Sequence, residues 1–180
     1  ITRLGLIVAA LTFIADQAAK SAVLYLAGYI NCNDCPAFVA ECTRCDPYPL
    51  LPVLNIVLVW NPGVSYGLFP ADSDLERWIL VIFALLVSAA LVYWLWRVTD
   101  KVLAIALGFV IGGALGNVID RILYGAVADF LEFHAGGFHW YVFNVADAGV
   151  VVGVALLVVD AFLDGRRKPN AAEAAKDEQA

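Results

Sequence analysis

Four long apolar runs divide the chain, and more polar stretches separate them. The runs cover residues 4–26, 77–96, 102–122 and 143–162. Each is close to the roughly 20 residues that a helix needs to cross a bilayer core of ~30 Å. Only helices and closed barrels satisfy their backbone groups in lipid, and the runs lack the alternation of barrel strands. The pattern predicts an all-α membrane protein with four transmembrane helices in a single domain, residues 1–165.

The first run has two interpretations, because a cleaved signal peptide would also begin close to the N-terminus. The run is long, contains the charged residues Asp16 and Lys20, and has no small-x-small cleavage site before Gly28. These features favour a retained spanning helix.

The first connection, residues 28–70, has two parts. Residues 28–52 are rich in Cys, Pro and Asp and show no periodicity, whereas residues 53–60 are apolar and β-branched and predict a strand. Asn61-Pro62-Gly63 then turns the chain, and residues 138–143 in the third connection predict a second short strand near the first. We therefore expect a small extracytoplasmic β-sheet, or cradle, on the outer membrane surface.

Charge at the ends of the runs predicts the orientation. The basic residues near these ends are Arg3, Arg97, Lys101, Arg166, Arg167 and Lys168. Because positive charge is enriched in cytoplasmic loops, both termini should be cytoplasmic and the acidic first and third connections should lie outside. The polar, low-complexity residues 166–180 are predicted to form a disordered cytoplasmic tail.

Composition supports the membrane class and argues against nucleic acid as a partner. The 180 residues are 62% hydrophobic and 16% charged, with a mean hydropathy of +0.80. Soluble domains average about 45–50% apolar and about 25% charged residues. The net charge of −6 and the absence of a basic, aromatic-rich face do not suit nucleic acid.

One ridge of the third run carries small residues at a spacing of four. Gly108, Gly112 and Gly116 share this ridge, and Asp120 is the next position along it. Glycine in a spanning helix lets a neighbouring backbone approach closely. Asp120 should therefore face protein rather than lipid.

Carboxylates are the main candidates for chemistry. The chain has no HExxH or GxSxG motif and no phosphate-binding glycine loop. Ser21 follows Lys20 directly, and neighbouring side chains on a helix do not face each other, so a Ser–Lys dyad is poorly supported. Asp129 follows the third run and Asp147 lies at the start of the fourth, so both belong to the same outer layer.

Two aspartates that lie close together cannot both ionise easily, so one serves as an acid and the other as a base. Such a pair could activate water against an amide bond. The alternative is that each aspartate only caps a helix or pairs with Arg121.

Other polar residues recur at helical spacing around these two. They are Asp16 with Lys20, then Asn117, Asp120 and Arg121, and finally Asn144 with Asp147. These sets could hold a pair of aspartates in place, or they could be structural polar networks between helices. Asp16 and Lys20, four residues apart, could be an intrahelical pair or could orient the site from a further helix.

Four cysteines form a separate group in the outer segment: Cys32, Cys35, Cys42 and Cys45. Two disulfides are the favoured interpretation on the oxidising side of a membrane. A four-thiolate zinc site and free thiols are the alternatives.

Five motifs, in order along nearly the whole chain, resemble those of the lipoprotein signal peptidases (signal peptidase II). They are Asp16-Gln17 with Lys20; Asn61-Pro62-Gly63-Val64-Ser65-Tyr66-Gly67; Gly113, Gly116, Asn117, Asp120 and Arg121; Val127, Asp129 and Phe130; and Phe143, Asn144, Ala146 and Asp147. The cysteine group is not a hallmark of that family.

The resemblance implies an aspartic endopeptidase of the bacterial inner membrane that acts on diacylglyceryl-modified prolipoproteins. It would cut just before the lipid-modified cysteine, work without a cofactor and act as a monomer in membrane lipid. Asp129 and Asp147 would be catalytic, while Asn61, Asn117, Arg121 and Asn144 would contact substrate or support the pair. Asp16, Lys20 and Asp120 would be structural.

Two other classes compete with an enzyme. A small transporter or proton-relay bundle would use intramembrane acids, but it needs them spread across the membrane rather than clustered in one layer. A scaffold protein would leave the polar sets of the third and fourth runs without a role.

Overall fold

The computed structural model of the chain describes residues 1–27, 47–63 and 74–177. The elements are α1 (Thr2–Ala27), β1 (Tyr48–Leu51), β2 (Leu54–Asn61), α2 (Asp74–Leu95), α3 (Lys101–Tyr124), β3 (Val127–Ala135), β4 (Phe138–His139) and α4 (Val145–Asp177). All four helices contain a stretch that is long and apolar enough to cross a membrane. The prediction of four transmembrane helices with a small sheet is confirmed. The predicted cysteine group, at 32–45, lies outside the described residues.

Helix α3 is the centre of the bundle, because it packs against each of the other three helices. Its glycine ridge faces α1. A Cβ added at Gly108 would lie 2.5 Å from the Gly5 carbonyl oxygen, and one at Gly112 would lie 2.3 Å from the Ala9 carbonyl oxygen. Only glycine permits this approach. Asp120 is 1% exposed, as its place on the ridge predicts.

Local signals explain where helices α2 and α3 begin and where α3 ends. Helix α2 starts three residues before its apolar run, since Asp74 and Glu76 interact favourably with the positive end of the helix dipole. Asp100 caps α3 by accepting the Leu103 backbone N–H at 2.9 Å. Gly125 ends α3 in the left-handed conformation, with φ of 81°.

The four strands form one antiparallel sheet in the order β1-β2-β3-β4. The predicted strand at 53–60 is confirmed as β2, one residue later. No strand is predicted from sequence for the residues of β3, which separates β2 from the predicted second strand. Of residues 138–143, only the first two form β4, and Phe143 makes an isolated bridge to Leu131.

The sequence pattern does not predict strands β1 and β3, and each has a physical reason. Strand β1 is a four-residue edge strand that contains Pro49, and proline cannot donate to a ladder. Strand β3 buries side chains on both faces, including Asp129 and Glu132, so its sequence does not alternate between apolar and polar residues.

The β3–β4 hairpin closes with a two-residue turn. Gly136 and Gly137 both have positive φ, 57° and 84°. Such turns match the twist of the flanking strands and require this backbone conformation. Trp140 and Tyr141, which follow β4, line one cavity with Asp147 and Ala148 at the start of α4.

The sheet is anchored on the end of α1. Val23 of α1, Leu58 of β2 and Phe130 of β3 are all buried in one apolar cluster. This contact fixes the sheet over the end of the bundle at which α3 finishes and α4 begins.

Helix α4 continues beyond its apolar span of Val145–Leu163 to Asp177. The prediction of a disordered tail over residues 166–180 therefore does not match the structure for residues 166–177, which are helical. Alanine, glutamate and lysine dominate residues 171–177 and are strong helix formers, which accounts for the difference.

Candidate active site

Asp129 lies on β3 opposite the end of β2. It pairs with Val59 across the ladder, and it is 3% exposed. Asn61 Nδ2 donates to its Oδ2 at 3.0 Å, and Asn144 Nδ2 donates to its Oδ1 at 2.7 Å. Each oxygen of this buried carboxylate therefore has one neutral donor.

Asp147 is the third residue of α4, and the start of that helix holds its side chain. Asn144 Oδ1 accepts the Asp147 backbone N–H at 2.9 Å, and Asp147 Oδ2 accepts the Asn144 backbone N–H at 3.4 Å. This reciprocal pair is a capping box, in which the carboxylate also interacts favourably with the helix dipole. The bonds that begin α4 thus also orient Asp147.

Two asparagines connect the carboxylates. Besides Asp129, the Asn144 amide reaches Asn117 Oδ1 at 3.1 Å. Asn117 Nδ2 in turn donates to Asp147 Oδ1 at 2.8 Å. A continuous path of three side-chain hydrogen bonds therefore runs from Asp129 through Asn144 and Asn117 to Asp147.

Burial raises the pKa of Asp129 to about 7, and the charge of Asp147 contributes in the same direction. Desolvation disfavours a carboxylate, and so does a second negative charge nearby. The hydrogen bonds from Asn61 and Asn144 and the positive charge of Lys20 oppose these effects. Asp129 can therefore gain or lose a proton near neutral pH, which suits a group that moves protons.

Both carboxylates line a cavity of about 610 Å³. The other lining residues are Asn61, Phe133, Trp140, Tyr141, Val142, Phe143, Ala148, Val150, Val151 and Val152. The cavity therefore extends from the edge of the sheet along the part of α4 that can span a membrane. A mostly apolar wall that carries the polar groups of Asn61, Asp129 and Asp147 suits an apolar ligand that presents one polar bond.

Arg121 and Asn61 hold the turn after β2. Arg121 Nη2 donates to the Gly63 carbonyl oxygen at 2.6 Å, and Nη1 donates to the Asn117 carbonyl oxygen at 3.2 Å. Asn61 Oδ1 accepts the Gly63 backbone N–H at 3.1 Å. Arg121 thus hydrogen-bonds backbone carbonyls and not the two carboxylates.

Asp16, Lys20 and Asp120 form a second buried cluster beside the first. Lys20 Nζ lies 2.7 Å from Asp16 Oδ2 and 2.8 Å from Asp120 Oδ2. It also donates to Asn117 Oδ1 at 3.1 Å, which joins the two clusters. The structure therefore brings all nine predicted site residues into one connected polar region.

Gln17 belongs to this region, although no role is predicted for it from sequence. Its Nε2 donates to Asp120 Oδ1 at 3.0 Å, to the Gly116 carbonyl at 3.2 Å and to Asp16 Oδ2 at 3.2 Å. Two signals point to it: its place in the Asp16-Gln17 motif, and its spacing of three from Lys20, which places both side chains on one helix face.

A second unpredicted group lies on the sheet. Buried Glu132 accepts from Asn55 Nδ2 at 3.0 Å and lies 3.4 Å from His139 Nδ1. A polar Asn55 inside an apolar strand is the signal for such a partner, because buried amides need one. Within residues 1–27, 47–63 and 74–177, no three His, Cys, Asp or Glu side chains form a set that could hold a metal ion.

Residues 8–163 match the family model described as Signal peptidase (SPase) II. The protein named lipoprotein signal peptidase from Methylobacterium sp. (strain 4-46) is 50% identical over 157 residues, 87% of each chain. Its namesake from Methylobacterium radiotolerans is 45% identical over 175 residues, which cover 97% of this chain and 95% of that one.

Solved structures agree with the sequence relatives. A bacterial membrane enzyme determined at 2.3 Å superposes with a TM-score of 0.71 at 26% identity, covering 91% of this chain and 90% of the other. A second one, determined at 1.9 Å, gives a TM-score of 0.65 at 27% identity and covers 87% and 91%. Because the family model spans most of the chain and the relatives match it over nearly their full length, this chain belongs to the signal peptidase II family of aspartic-type proteases.

Proposed function

We propose that this chain is an intramembrane aspartic endopeptidase that removes the signal peptide from diacylglyceryl-modified prolipoproteins, cutting just before the lipid-modified cysteine. The observation that carries the proposal is the pair of carboxylates, Asp129 and Asp147, joined through two asparagines at one end of an apolar cavity. The relatives named lipoprotein signal peptidases supply the substrate class.

The first half of the reaction forms a tetrahedral intermediate. Asp147, the less buried of the two, acts as the base and takes a proton from water while the water oxygen attacks the scissile carbonyl carbon. Asp129 is largely protonated just below its pKa of about 7, and it gives its proton to the carbonyl oxygen. The product is a neutral diol, so no new charge develops inside the cavity.

The second half returns both groups to their starting states. Asp147, now protonated, gives its proton to the amide nitrogen as the carbon–nitrogen bond breaks. Asp129 takes a proton from one hydroxyl of the diol as the new carboxyl group forms. All proton transfers are assigned to the two carboxyls, so the proposed reaction needs no metal or organic cofactor.

The asparagines hold the pair in its working geometry. Asn61, Asn117 and Asn144 supply neutral donors to the two carboxylates, and Arg121 ties the turn after β2 to α3. Neutral donors orient the carboxylates without adding a positive charge, which would favour ionisation of both. Rigid support of this kind matters because a displacement of about 1 Å can cost about 10²-fold in rate.

The cavity wall fits the apolar parts of a lipid-modified precursor. The aromatic side chains of the hairpin and the face of α4 from Ala148 to Val152 would contact the signal helix or acyl chains. Both carboxylates come from one chain, so a monomer in membrane lipid suffices for activity.

The proposed location is the bacterial inner membrane, with both termini cytoplasmic and the active site near the outer face. Four spans place both termini on the same side. The basic residues at the termini and in the α2–α3 connection favour the cytoplasm for that side. Asp129 and Asp147 lie at the opposite end of α3 from this connection, together with the sheet.

The test is cleavage of a lipid-modified prolipoprotein by purified Asp129→Asn and Asp147→Asn variants, followed as a gel shift. Each variant should lose activity by at least about 10³-fold, since each removes a group that must transfer a proton. Both variants should still purify as folded membrane proteins. Asp74→Asn is the matched control, because Asp74 is exposed and pairs only with Arg77 in the described structure.

Two results would contradict the proposal. Asp129 and Asp147 together form the proposed catalytic dyad, and cleavage at the wild-type rate by a variant of either one would remove that carboxyl from the mechanism. Equal cleavage of the precursor with and without its diacylglyceryl group would refute the proposed substrate class, while leaving the aspartic mechanism intact.

A further inference from the structure

Lys20 occupies an unusual position, because a single buried ammonium lies between carboxylates of two different helices. Its contacts are Asp16 Oδ2 of α1 at 2.7 Å and Asp120 Oδ2 of α3 at 2.8 Å. The Lys20 side chain is 3% exposed, and those of Asp16 and Asp120 are 0% and 1% exposed. Burial of this kind requires that every charge has a partner.

The two carboxylates each hold the backbone beside one member of the dyad. Asp16 Oδ1 accepts the backbone N–H of Ala146 at 2.8 Å, one residue before Asp147. Asp120 Oδ2 accepts the backbone N–H of Ala128 at 3.1 Å, one residue before Asp129. Lys20 is therefore the common point of two branches that end next to the two dyad residues.

A third branch reaches the dyad through a side chain. Lys20 Nζ donates to Asn117 Oδ1 at 3.1 Å. Because an ammonium can only donate, this contact sets which way the Asn117 amide points. The amide nitrogen is then directed to Asp147 Oδ1, at 2.8 Å.

We propose that Lys20 is the positioning residue that sets the relative placement of Asp129 and Asp147, acting through Asp16, Asp120 and Asn117. The expected effects on rate rest on the proposed aspartic mechanism, whereas the expected effects on hydrogen exchange do not. Lys20 touches neither dyad carboxylate in the described structure, so its role is not that of a proton carrier.

The positive charge is needed, not merely a donor. Asp16 and Asp120 accept neutral donors from Gln17 and from the backbone, but these carry no charge to balance two buried anions. Without Lys20, at least one carboxylate would take up a proton or turn away. A neutral carboxyl accepts a backbone N–H more weakly, so one branch to the dyad would loosen.

Lys20 also acts on the dyad through space. Its charge lowers the pKa of Asp129, against the larger effects of burial and of Asp147. The carboxylates of Asp16 and Asp120 contact Lys20, and the charge of Asp147 acts on Asp129 as well. Arg121 on α3 interacts electrostatically with Asp147, Asp129 and Asp120. In the proposed mechanism Asp129 acts in its protonated form, so the rate falls at alkaline pH as Asp129 ionises. Removing the ammonium should raise the pKa of Asp129 and therefore move this alkaline limb of the pH–rate profile to higher pH.

The experiment compares Lys20→Met with single-branch variants by hydrogen exchange of the backbone amides in detergent. Exchange at Ala146 should rise in Asp16→Ala, exchange at Ala128 should rise in Asp120→Ala, and both should rise in Lys20→Met. Lys20→Met should also lose about 10²-fold in kcat while KM changes little, because the dyad is displaced rather than the substrate wall. Its alkaline limb should move to higher pH, and Lys20→Arg, which keeps the charge, should retain the wild-type limb.

Asp100→Ala serves as the control, since Asp100 caps the far end of α3 and contacts neither cluster. It should leave exchange at Ala128 and Ala146, kcat and the pH profile unchanged.

If Lys20→Met does not fold, the two single-branch variants test the proposal. Increased exchange only at Ala146 in Asp16→Ala and only at Ala128 in Asp120→Ala supports it, and uniform changes in these variants overturn it. Wild-type kcat or wild-type exchange in a folded Lys20→Met also overturns it. Failure of the wild-type protein to cleave a prolipoprotein would instead refute the proposed function and leave the exchange arm valid.

Discussion

Two pairs of aspartates lie at the same end of the bundle, and their partners differ. Asp16 and Asp120 share the ammonium of Lys20 at 2.7 and 2.8 Å. Asp129 and Asp147 are joined only by amides, with Asn144 bonded to the first and Asn117 to the second. The first pair is enclosed in protein, whereas the second lines a cavity of about 610 Å³.

A buried aspartate that contacts a cation and one that contacts only amides suit different roles. A cation balances the negative charge of both acids in the first pair, so it suits a fixed structural contact. Neutral amides orient the second pair, and no cation contacts its carboxylates in the described structure. Burial, followed by the charge of Asp147, raises the pKa of Asp129 to about 7, so this group can gain or lose a proton near neutral pH.

The largest expected effect is on the stability of the folded protein, which ionisation of the buried Asp129 should lower. Its pKa is raised in the folded state, so the folded protein binds a proton that the unfolded chain has already released above pH ~4. Wild-type stability should therefore fall, relative to Asp129→Asn, as pH rises from about 4 through about 7, by roughly 4 kcal/mol. Thermal unfolding of both proteins in detergent across this range measures the difference.

Asp74→Asn is the matched control for that measurement, since Asp74 is exposed. Its stability difference from wild type should vary little over the same pH range. A flat difference for Asp129→Asn as well would mean that Asp129 is not stabilised in its protonated form, and the contrast between the two pairs would fail.

A smaller effect, on the pH dependence of activity, is expected when a cation is placed beside the second pair. Asn61 donates to Asp129 Oδ2 at 3.0 Å, so Asn61→Lys places an ammonium near that carboxylate. An opposite charge at this range should lower the pKa of Asp129 by about 1–3. The alkaline limb of kcat/KM should move to lower pH, and activity at pH ~7 should fall by about fivefold or more.

Asn61→Leu separates the charge from the loss of the amide. Both variants lose the Asn61 bond to the Gly63 backbone, so they share any disturbance of that turn. The hydrogen bond from Asn61 lowers the pKa of Asp129, so Asn61→Leu should move the alkaline limb to higher pH. Shifts in the same direction for both substitutions would show that turn geometry, not charge, controls the dyad.

The sequence pattern predicts these two pairs unequally well. Asp16 and Lys20 are four residues apart on one helix, and Asp120 follows a glycine ridge, so helical periodicity alone indicates their burial. That Asp16 also caps α4 could not be predicted, because Ala146 is 130 residues away and contributes only a backbone N–H.

For the second pair, the residues were predictable but their setting was not. The order of motifs identifies Asp129 and Asp147, and the Asn144-x-x-Asp147 spacing is that of a capping box. Strand β3 could not be predicted, because both of its faces are buried and its sequence therefore lacks the apolar–polar alternation that indicates a strand. Its hydrogen bonds to β2 bring Asn61 to Asp129, across 68 residues of sequence.

The smallest expected effect comes from Asp100, another aspartate that belongs to neither pair. Asp100 is exposed and accepts the Leu103 backbone N–H at 2.9 Å, so it represents an aspartate with a neutral donor but without burial. Asp100→Ala should lower the free energy of unfolding by about 1 kcal/mol, the usual cost of losing a helix N-cap. Because Asp100 stays hydrated, this loss should not change between pH ~6 and pH ~8, and the alkaline limb of kcat/KM should stay in place.

If the alkaline limb moves in Asp100→Ala, its position depends on general loosening of the bundle. If it stays, burial and the nearby charge of Asp147, and not a neutral donor by itself, are what make Asp129 titrate near neutral pH.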